Sequence, residues 1–578
     1  NGFKLDFADS SDFGNDVSGN NNDYTSSGLT TADQMSDTPT NNFCTWSPID
    51  KNSGLVLSDG NLVATFGGWI NARATFGVPS SGKWSFQAQA KNASMYLGVI
   101  AQGATYGDVD VGGVDALYYY ASGGKIATKR SGSEVVEATN PPPAVGVDTN
   151  MEVLIDKDND QFGVVIADTV YMAVDSGLEI QDTMTQIFVQ GLNLAVTSDF
   201  GQGGYEPSQT GYKALNTANL TTPTILDGTA NFQPTLYTGN GSVRNIDQTG
   251  NSTFQPDWVW IKNRSTNDSN MLIDAARGVT KELSSDTNGA ESTDANGLTS
   301  FDSDGFGLGT GAGGYNDDTE SFVAWQWLAG GGAGSSNEAG TINTTTTTVN
   351  TTAGISISTY TGTGVAATIG HGLGVAPEFV VCKQRSGSAG PQWKTYHVAN
   401  TSGGAAEEWF LILGPGNQGT YANSTMWNDT APTSTVFSIG TNTDVNDSTE
   451  TYISYAMVGV EGFSKFGGYT GNGAADGPVA YTGFKPALVI IKKAEGTATG
   501  DWIIYDSQRS PYNEVDDQLI TDYNYAETTG SEEIDFLANG FKIRTTDAGV
   551  NTSGSNYVFM AFAEYPFGGD GVTPATTF

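Results

Sequence analysis

A seven-residue line occurs three times in this chain and constrains its fold more than any other feature. Residues 256–262 read PDWVWIK, residues 377–383 read PEFVVCK and residues 486–492 read PALVIIK. Pro, Val and Lys hold the first, fourth and seventh places each time. Proline has no ladder donor and is tolerated as the first residue of a strand. The residues after it alternate faces. One face carries Trp258, Trp260 and Lys262, then Phe379, Val381 and Lys383, then Leu488, Ile490 and Lys492. The other carries Asp257, Val259 and Ile261, then Glu378, Val380 and Cys382, then Ala487, Val489 and Ile491. Both faces are apolar in the middle, which predicts a strand buried on both sides of a sandwich. The lysine is expected where the strand emerges into water. Cys382 stands where the other copies have Ile, so it reads as a core hydrophobe and not as a nucleophile.

The line anchors a longer repeat. A turn precedes each copy, YTGNG at 237–241, YTGTG at 360–364 and YTGNG at 469–473. A second strand-like piece follows, from Met271, Trp393 and Trp502, and each unit closes on SFVAWQW (321–327), TYISYAM (451–457) or NYVFMAF (556–562). The first and third units also share DGF or NGF, ending at Phe306 and Phe541. The starts at 237, 360 and 469 lie 123 and 109 residues apart. That is too long for a solenoid unit of about 20–50 residues and long enough for a small domain.

A paired change runs through the repeat. Asp274 and Arg277 stand three apart in the first unit, and Asp506 and Arg509 do so in the third, while the second has His397 and Asn400. Both members change together, which fits a paired interaction. The Asp–Arg pair is expected to be a local structural ion pair or turn clamp, worth about 0–1 kcal/mol if exposed. A ligand-binding role is the alternative.

The front of the chain is built differently. Residues 1–50 are dominated by Asn, Asp, Ser and Thr and predict an ordered loop or edge segment. GKWSFQAQA at 82–90 alternates Trp84, Phe86, Ala88 and Ala90 and reads as a half-buried strand. ALYYYASGGKIATKR at 116–130 predicts a hairpin turning at Ser-Gly-Gly, and MEVLID with QFGVVIAD predicts another across KDND. Short strands, frequent turns and no convincing helix predict an all-β chain of sandwiches.

Composition agrees with a folded, turn-rich, β-rich protein. Of 578 residues 75 are Gly, well above the usual share of about 7%. There are 25 Lys+Arg against 63 Asp+Glu, a net charge of −38, yet only 15% of residues are charged. The surface is therefore mostly neutral-polar. No clustered Lys and Arg offer phosphate contacts, so nucleic acid is not an expected partner, and anionic lipid would be repelled. Such a surface suits a protein bathed in salt, where screening weakens self-repulsion, or an ordinary acidic extracellular protein. The two cysteines, Cys44 and Cys382, exclude a disulfide framework and a cysteine metal cluster. No apolar run approaches about 18 residues, so no membrane insertion is expected.

Two resemblances follow from these motifs. SSGKWSFQ, the VLIDKDNDQFGVVI hairpin and SDFGQGGY at 198–205 resemble the SPRY domain, a concanavalin-like sandwich and binding module, although its usual GVALD strand reads EVLID here. The whole chain resembles tail-fibre-like virion proteins of marine bacteriophages, including those of cyanobacteria and their neighbours. The matching motifs run from NGFKLDFADSSDFGNDVSGNNND through DTPTNNF, GYKALNTANL, DAARGVTKEL, GHGLGVAPEFVV, VEGFSKFGGYTGNG, FKPALVIIKK and NGFKIRTTDAGVNTSG to FAEYPF. Similar proteins often continue upstream, commonly with a laminin-G-like sandwich, so a preceding segment is expected before Asn1.

The expected organisation is an N-terminal segment at 1–50, a SPRY-like sandwich at 51–207 and a linker at 208–235. Three modules follow at 236–330, 354–466 and 467–568, with a Gly/Thr-rich linker at 331–353 and a tail at 569–578. The linker reads as flexible in its Gly/Ser half and extended or strand-like in its Thr run.

Few residues point to chemistry. His371 lies between glycines in GHGLG and reads as a turn histidine. No Ser–His–Asp or Cys–His set assembles from His371 and His397. Asp156, Asp158 and Asp160 alternate like calcium ligands, but the glycine and distal Glu of an EF-hand loop are missing, so a solvated hairpin turn is expected. DSDGFG at 302–307 reads as a turn as well. The 63 acids single out no glycosidase pair. No catalytic residue, metal or cofactor is expected.

The resemblance implies a structural and adhesive virion component on the particle surface, a tail fibre or capsid-attached fibre. Its partners would be further copies of itself, with a trimer expected, other virion proteins, and a host-surface glycan or receptor. The rival readings are a virion-borne polysaccharide depolymerase and a bacterial surface adhesin or filament subunit.

Overall fold

The computed structural model describes all residues except 1, 32–33, 35–36, 39, 91–93, 102–114, 131–132, 182–183, 312, 388–390, 402, 417–418, 497–499 and 569–578. The expected tail at 569–578 lies outside the described residues. Strand takes 43% of the chain and helix 3%, so the fold is all-β, as the alternating runs predict. The chain divides into two compact units, one mainly Asn1–Thr222 and the other mainly Pro223–Phe567.

The first unit is a β-sandwich. One antiparallel sheet runs Trp46–Lys51, Ile70–Gly77, Gln186–Gly191, Met95–Ile100, Ala116–Tyr120, Lys125–Arg130, Ser133–Val136. The other runs Thr169–Met172, Gln161–Ile166, Asn150–Asp156, Lys83–Ala90, Leu194–Asp199, Val63–Phe66, Val56–Ser58, with Tyr212–Ala214 pairing parallel to Lys83–Ala90. Both predicted hairpins form, with Tyr120 opposite Lys125 and Asp156 opposite Gln161. The two sheets close on an aromatic seam. Trp46 of the first sheet meets Phe86 of the second edge-on at 6.2 Å, and its indole N–H donates to Ser198 Oγ at 3.1 Å.

The second unit holds three copies of one sheet. In the first module the order is Phe232–Thr238, Ser321–Trp327, Trp258–Asn263, Met271–Asp274, Lys281–Ser284. In the second it is Ile355–Thr361, Thr451–Met457, Phe379–Gln384, Trp393–His397, Trp409–Leu413. In the third it is Ser464–Thr470, Asn556–Pro566, Phe484–Lys493, Trp502–Asp506, Val515–Ile520. Each heptapeptide strand is thus flanked by the closing strand and by the piece that follows it in sequence. Its register is the same each time, with Trp258 opposite Trp327, Phe379 opposite Met457 and Leu488 opposite Phe562.

In the first two modules the two faces of that strand go to different cores, while in the third both faces, with Val489 and Ile491 on the second, belong to the shared core. Trp258, Trp260, Phe379, Val381, Leu488 and Ile490 enter a single core shared by all three modules. Val259 and Ile261 instead pack with Phe306 and Phe322, and Val380 and Cys382 with Phe437 and Ile439, inside their own modules. A smaller sheet covers that inner face, Arg244–Asp247 with Gly305–Leu308 in the first module and Ala367–Gly370 with Val436–Ile439 in the second. The shared DGF and NGF motifs belong to this layer. A Cβ on Gly305 would lie 2.0 Å from the Ile246 carbonyl oxygen, and one on Gly540 2.1 Å from that of Ala480, so only glycine fits.

The connections are more ordered than their composition suggested. The 331–353 segment is not a flexible tether: the amides of Gly331 and Gly332 donate to Asp257, and Thr346–Asn350 pairs with Ile355–Thr361 as an added edge strand. Within 208–235, Tyr212–Ala214 joins the sandwich and Phe232–Thr238 opens the first module.

Candidate functional site

The three heptapeptide lysines are all buried, which corrects the expectation that they emerge into water. At Lys262 and Lys383 the strand end is covered by a neighbouring module. Lys262 Nζ donates to the Asp268 carbonyl at 2.6 Å and to the Asn524 carbonyl of the third module at 3.1 Å. Lys383 Nζ donates to the Pro391 carbonyl at 2.7 Å and to the Asn288 carbonyl of the first module at 3.3 Å. Lys492 Nζ donates to the Gly500 carbonyl at 2.5 Å. Burial pushes the Lys262 and Lys383 ammoniums down to about 8, and Lys492 is lowered for the same reason.

The Asp–Arg pairs are fully buried, so the surface value does not apply to them. Asp274 Oδ1 accepts from the Arg277 amide at 2.9 Å, Oδ2 accepts from Nε at 2.5 Å, and Arg277 Nη2 donates to the Leu272 carbonyl at 2.7 Å. Asp506 and Arg509 repeat this at 2.9 and 2.5 Å, with Nη2 donating to the Ile504 carbonyl at 2.8 Å. Burial opposes the guanidinium charge of Arg277, but Asp274 beside it overrides that and raises its pKa.

Each pair is completed from another module. Tyr455 OH donates to Asp274 Oδ2 at 2.7 Å, and Trp325 Nε1 donates to Asp506 Oδ2 at 3.0 Å. Tyr455 and Trp325 hold the same place in their closing strands. A second carboxylate bridges outward. Glu291 lies 3.5 Å from Arg277 and 2.8 Å from Arg385 of the second module. Glu527 lies 3.0 Å from Arg509 and 2.6 Å from Arg264 of the first.

The second module replaces this network with neutral groups. His397 Nδ1 accepts from the Ala399 amide at 3.1 Å and Nε2 donates to the Phe559 carbonyl of the third module at 3.1 Å. Burial holds its pKa down at about 4. Asn400 Oδ1 accepts from Thr420 Oγ1 at 3.0 Å. Thr420 takes the place of Glu291 and Glu527: its amide donates to the Gly496 carbonyl, as theirs donate to the carbonyls of Arg385 and Arg264. The covariation of two positions seen in the sequence is one part of a larger change.

These contacts close a ring. The second module inserts into the first, the third into the second and the first into the third, a heterologous contact that closes after three copies. A further position repeats the pattern: Asn270 Nδ2 donates to the Tyr523 carbonyl at 2.8 Å, Trp393 Nε1 to that of Ser284 at 2.9 Å and Trp502 Nε1 to that of Ile412 at 2.8 Å. Aligned sequence positions could have flagged this set, but nothing in one module says that its partner is another module.

Sequence reasoning also missed a buried asparagine in each copy. Asn316, Asn446 and Asn551 accept from the amides of Asn240, Thr363 and Asn472 in the YTGNG or YTGTG turns, at 3.0, 2.8 and 2.8 Å. Their Nδ2 groups donate back to the carbonyls of Ser242, Val365 and Ala474, all at 2.7 Å. The tyrosine of each turn donates to the carbonyl just before that asparagine. The signal was present: each asparagine precedes a closing-strand aromatic, Phe322, Tyr452 or Tyr557, by six residues.

The remaining candidates are accounted for structurally. His371 is buried, with Nε2 donating to the Thr433 carbonyl and Nδ1 accepting from the Leu373 amide, and burial lowers its pKa. Burial pushes both thiols, Cys44 and Cys382, up to about 12. Asp156 pairs with Lys83, Asp158 accepts from the Gly82 amide and Asp160 pairs with Lys157. Of residues 302–307, only Ser303 and Asp304 form the turn, and Gly305–Gly307 belong to the second strand of the Leu298–Asp302 and Gly305–Leu308 hairpin. Asp268, Asp317 and Glu320 bring carboxylate oxygens within 4.8 Å of one another. Asn263 Nδ2 donates to Asp268 and Glu320, and the amides of Gly313 and Gly314 donate to Asp317. The shared core encloses an apolar cavity of about 20 Å3 bordered by Trp258, Trp260, Phe379 and Trp502. That is room for about one water and far too little for a sugar or cofactor.

The loops after Lys281–Ser284 and Trp409–Leu413 both meet the loop after Val515–Ile520. Ser285 Oγ of the first donates to the Thr521 carbonyl of the third, and the Gly416 amide of the second donates to Tyr523 OH of the third at 3.3 Å. The first and third loops, SDTNGAE at 285–291 and TDYNYAE at 521–527, share their Asp, Asn, Ala and Glu, but Tyr523 and Tyr525 stand where the first has Thr287 and Gly289, and the second loop is unlike both.

Residues 227–566 match the family model described as "Domain of unknown function (DUF7483)". No curated protein matches this sequence. Among solved structures the chain is similar to the TRIM65 PSpry domain at 12% identity, covering 27% of this chain and 92% of that one at a TM-score of 0.22. It is similar to the SPRY domain of human HERC1 at 11% identity, 27% and 96% coverage and a TM-score of 0.21. It is also similar to the carbohydrate binding module CBM66 from Bacillus subtilis at 11%, covering 27% and 94%, with a TM-score of 0.20.

Proposed function

The chain belongs to the DUF7483 family through residues 227–566, and from that premise we propose that it is a structural and adhesive component of a bacteriophage virion, contacting carbohydrate on the host surface. Its place on a virion, as a tail fibre or capsid-attached fibre, rests on the run of shared motifs from the N-terminal NGFKLDF to the closing FAEYPF. The observation that carries the adhesive part is the closed ring. Aligned polar positions of the three modules hold the ring together, and loops that differ at Thr287 and Tyr523 and at Gly289 and Tyr525 are set on that frame. Binding residues concentrate on such loops.

Catalysis is not part of the proposal. Both histidines are buried and biased to the neutral form, and both thiols are buried and raised. None of these groups is presented to a substrate. Self-association, with a trimer as the expected form, would use surfaces other than the module seams, because those are filled within one chain.

Mass spectrometry of purified virions tests the placement, and blocking of phage adsorption by the purified chain tests the adhesive role. Release of oligosaccharides from host-surface glycan on incubation with the chain would replace this reading with a depolymerase.

A further inference from the structure

We propose that the meeting point of the three loops is a saccharide subsite, with the Tyr525 ring as the platform on which a neutral pyranose stacks. The proposal rests on the adhesive reading and gives it a place.

Tyr525 is 48% exposed. Its ring lies parallel to that of Tyr523, with centroids 5.1 Å apart and an interplanar angle of 4°. One face of Tyr525 is therefore taken by Tyr523, and its exposed surface is presented outward. The pair is held from all three modules. The Tyr523 carbonyl accepts from Asn270 Nδ2 of the first module at 2.8 Å, and its hydroxyl accepts from the Gly416 amide of the second at 3.3 Å. Between the two tyrosines, the Asn524 carbonyl accepts from Lys262. Asn524 Nδ2 donates to the Asn267 carbonyl at 3.1 Å, and Asn267 Oδ1 accepts from the Ala526 amide at 2.9 Å. A platform fixed this way loses little conformational freedom on binding.

The charges around it are acidic or paired: Asp501 acts electrostatically on Tyr523, and Asp268 follows Asn267 in the chain. Lys262 is buried beneath the loop, and Glu527 is neutralised by Arg264 and Arg509. The exposed amides Asn267 and Asn524 lie beside the platform. An aromatic face bordered by amides suits a ring that offers C–H groups on one face and hydroxyls at its edge. A net charge of −38 disfavours sulfated or carboxylated chains at long range. These features together select a neutral hexose glycan over an anionic one.

The test uses the full chain on an array of neutral hexose oligosaccharides, with sulfated and uronic-acid glycans alongside. Wild type should bind at least one neutral glycan. Tyr525→Ala should weaken that binding about tenfold or more, the equivalent of about 1.4 kcal/mol, and Tyr525→Trp should retain it. Tyr512→Ala is the control, since Tyr512 is 83% exposed and, among the described residues, carries no stacked ring. Its affinity should not change. All variants should melt with wild type, because Tyr525 is not a core residue. Unchanged binding by Tyr525→Ala overturns the subsite, as does a preference for the anionic glycans or no binding to any neutral glycan. The adhesive reading is judged separately by adsorption blocking, so the two can fail independently. If adsorption is blocked and protease treatment of the host surface removes the effect, the ligand is a protein and the subsite is again overturned.

Discussion

The hydroxyl of Tyr455 donates to Asp274 Oδ2 across 2.7 Å, from the closing strand of the second module into the buried ion pair of the first. Asp274 therefore serves its own turn and the seam at once. Asp274→Asn leaves Arg277 charged in a buried site, which should cost about 3–5 kcal/mol. Tyr455→Phe removes one hydrogen bond to a charged group and should cost about 1.5–3 kcal/mol. The double variant should cost less than the sum by at least about 0.5 kcal/mol, because both act on one network. Urea unfolding of the three variants measures this, and strictly additive losses would show that seam and turn are independent.

His397 makes stability depend on acid. Its folded pKa of about 4 lies below the usual histidine value of about 6.5, so the folded chain favours the neutral ring. Both nitrogens are used, one accepting from Ala399 and one donating to Phe559, and Phe379 and Phe466 pack around the ring. A second ring proton would face the Ala399 amide. The stabilisation is complete above about pH 6.5 and is lost as pH falls towards 4, on the order of 3 kcal/mol in all. Urea midpoints at pH 7.5 and 4.5 should fall less for His397→Gln than for wild type. An equal fall would assign the acid limb to carboxylates.

How far the sequence could be read follows from which contacts are local. The heptapeptides gave the strand, its proline start and its two apolar faces, because these depend on a period of two within one segment. Asp274 and Arg277 could be linked because they are three residues apart. Lys262 and Lys383 emerge into no water because another module covers them, through Asn524 and Asn288, and no property of the heptapeptide encodes a neighbour that far away in the chain. The Gly/Ser half of 331–353 looked flexible because composition does not reveal that Asp257 collects its amides. The Tyr523–Tyr525 platform was illegible for a similar reason: its supports, Asn270 and Gly416, come from two other modules.

The turn asparagines should behave as clamps. Asn446→Ala removes the acceptor for the Thr363 amide and the donors to the Val365 and Gly440 carbonyls. Leaving buried groups unpaired costs about 1–3 kcal/mol each. Asn446→Asp keeps the acceptor but loses both donors and adds a buried charge, so it should be at least as damaging. Hydrogen exchange should quicken at residues 362–366 while the strand Ile355–Thr361 stays protected. No change in that turn would remove the clamp role.

Asp257 shows what the acid at the second place of the heptapeptide does in the two copies that carry one. Its carboxylate accepts from the amides of Ala329, Gly331 and Gly332 at 2.7, 2.7 and 2.6 Å, which fixes the start of the connection to the second module. Glu378 likewise accepts from the Gly459 amide at 3.0 Å, where the chain leaves for the third module. The third module has Ala487 at that place, which offers no side-chain acceptor. Asp257→Ala should therefore free the Gly-rich start of the connection without unfolding the module sheets. Limited proteolysis should show new cleavage within residues 329–336, with the strands on either side intact. Ala487→Asp should not tighten anything, because a buried carboxylate there would lack donors and would cost several kcal/mol. Resistance of Asp257→Ala to cleavage, equal to wild type, would show that Thr346–Asn350 alone is enough to hold the connection.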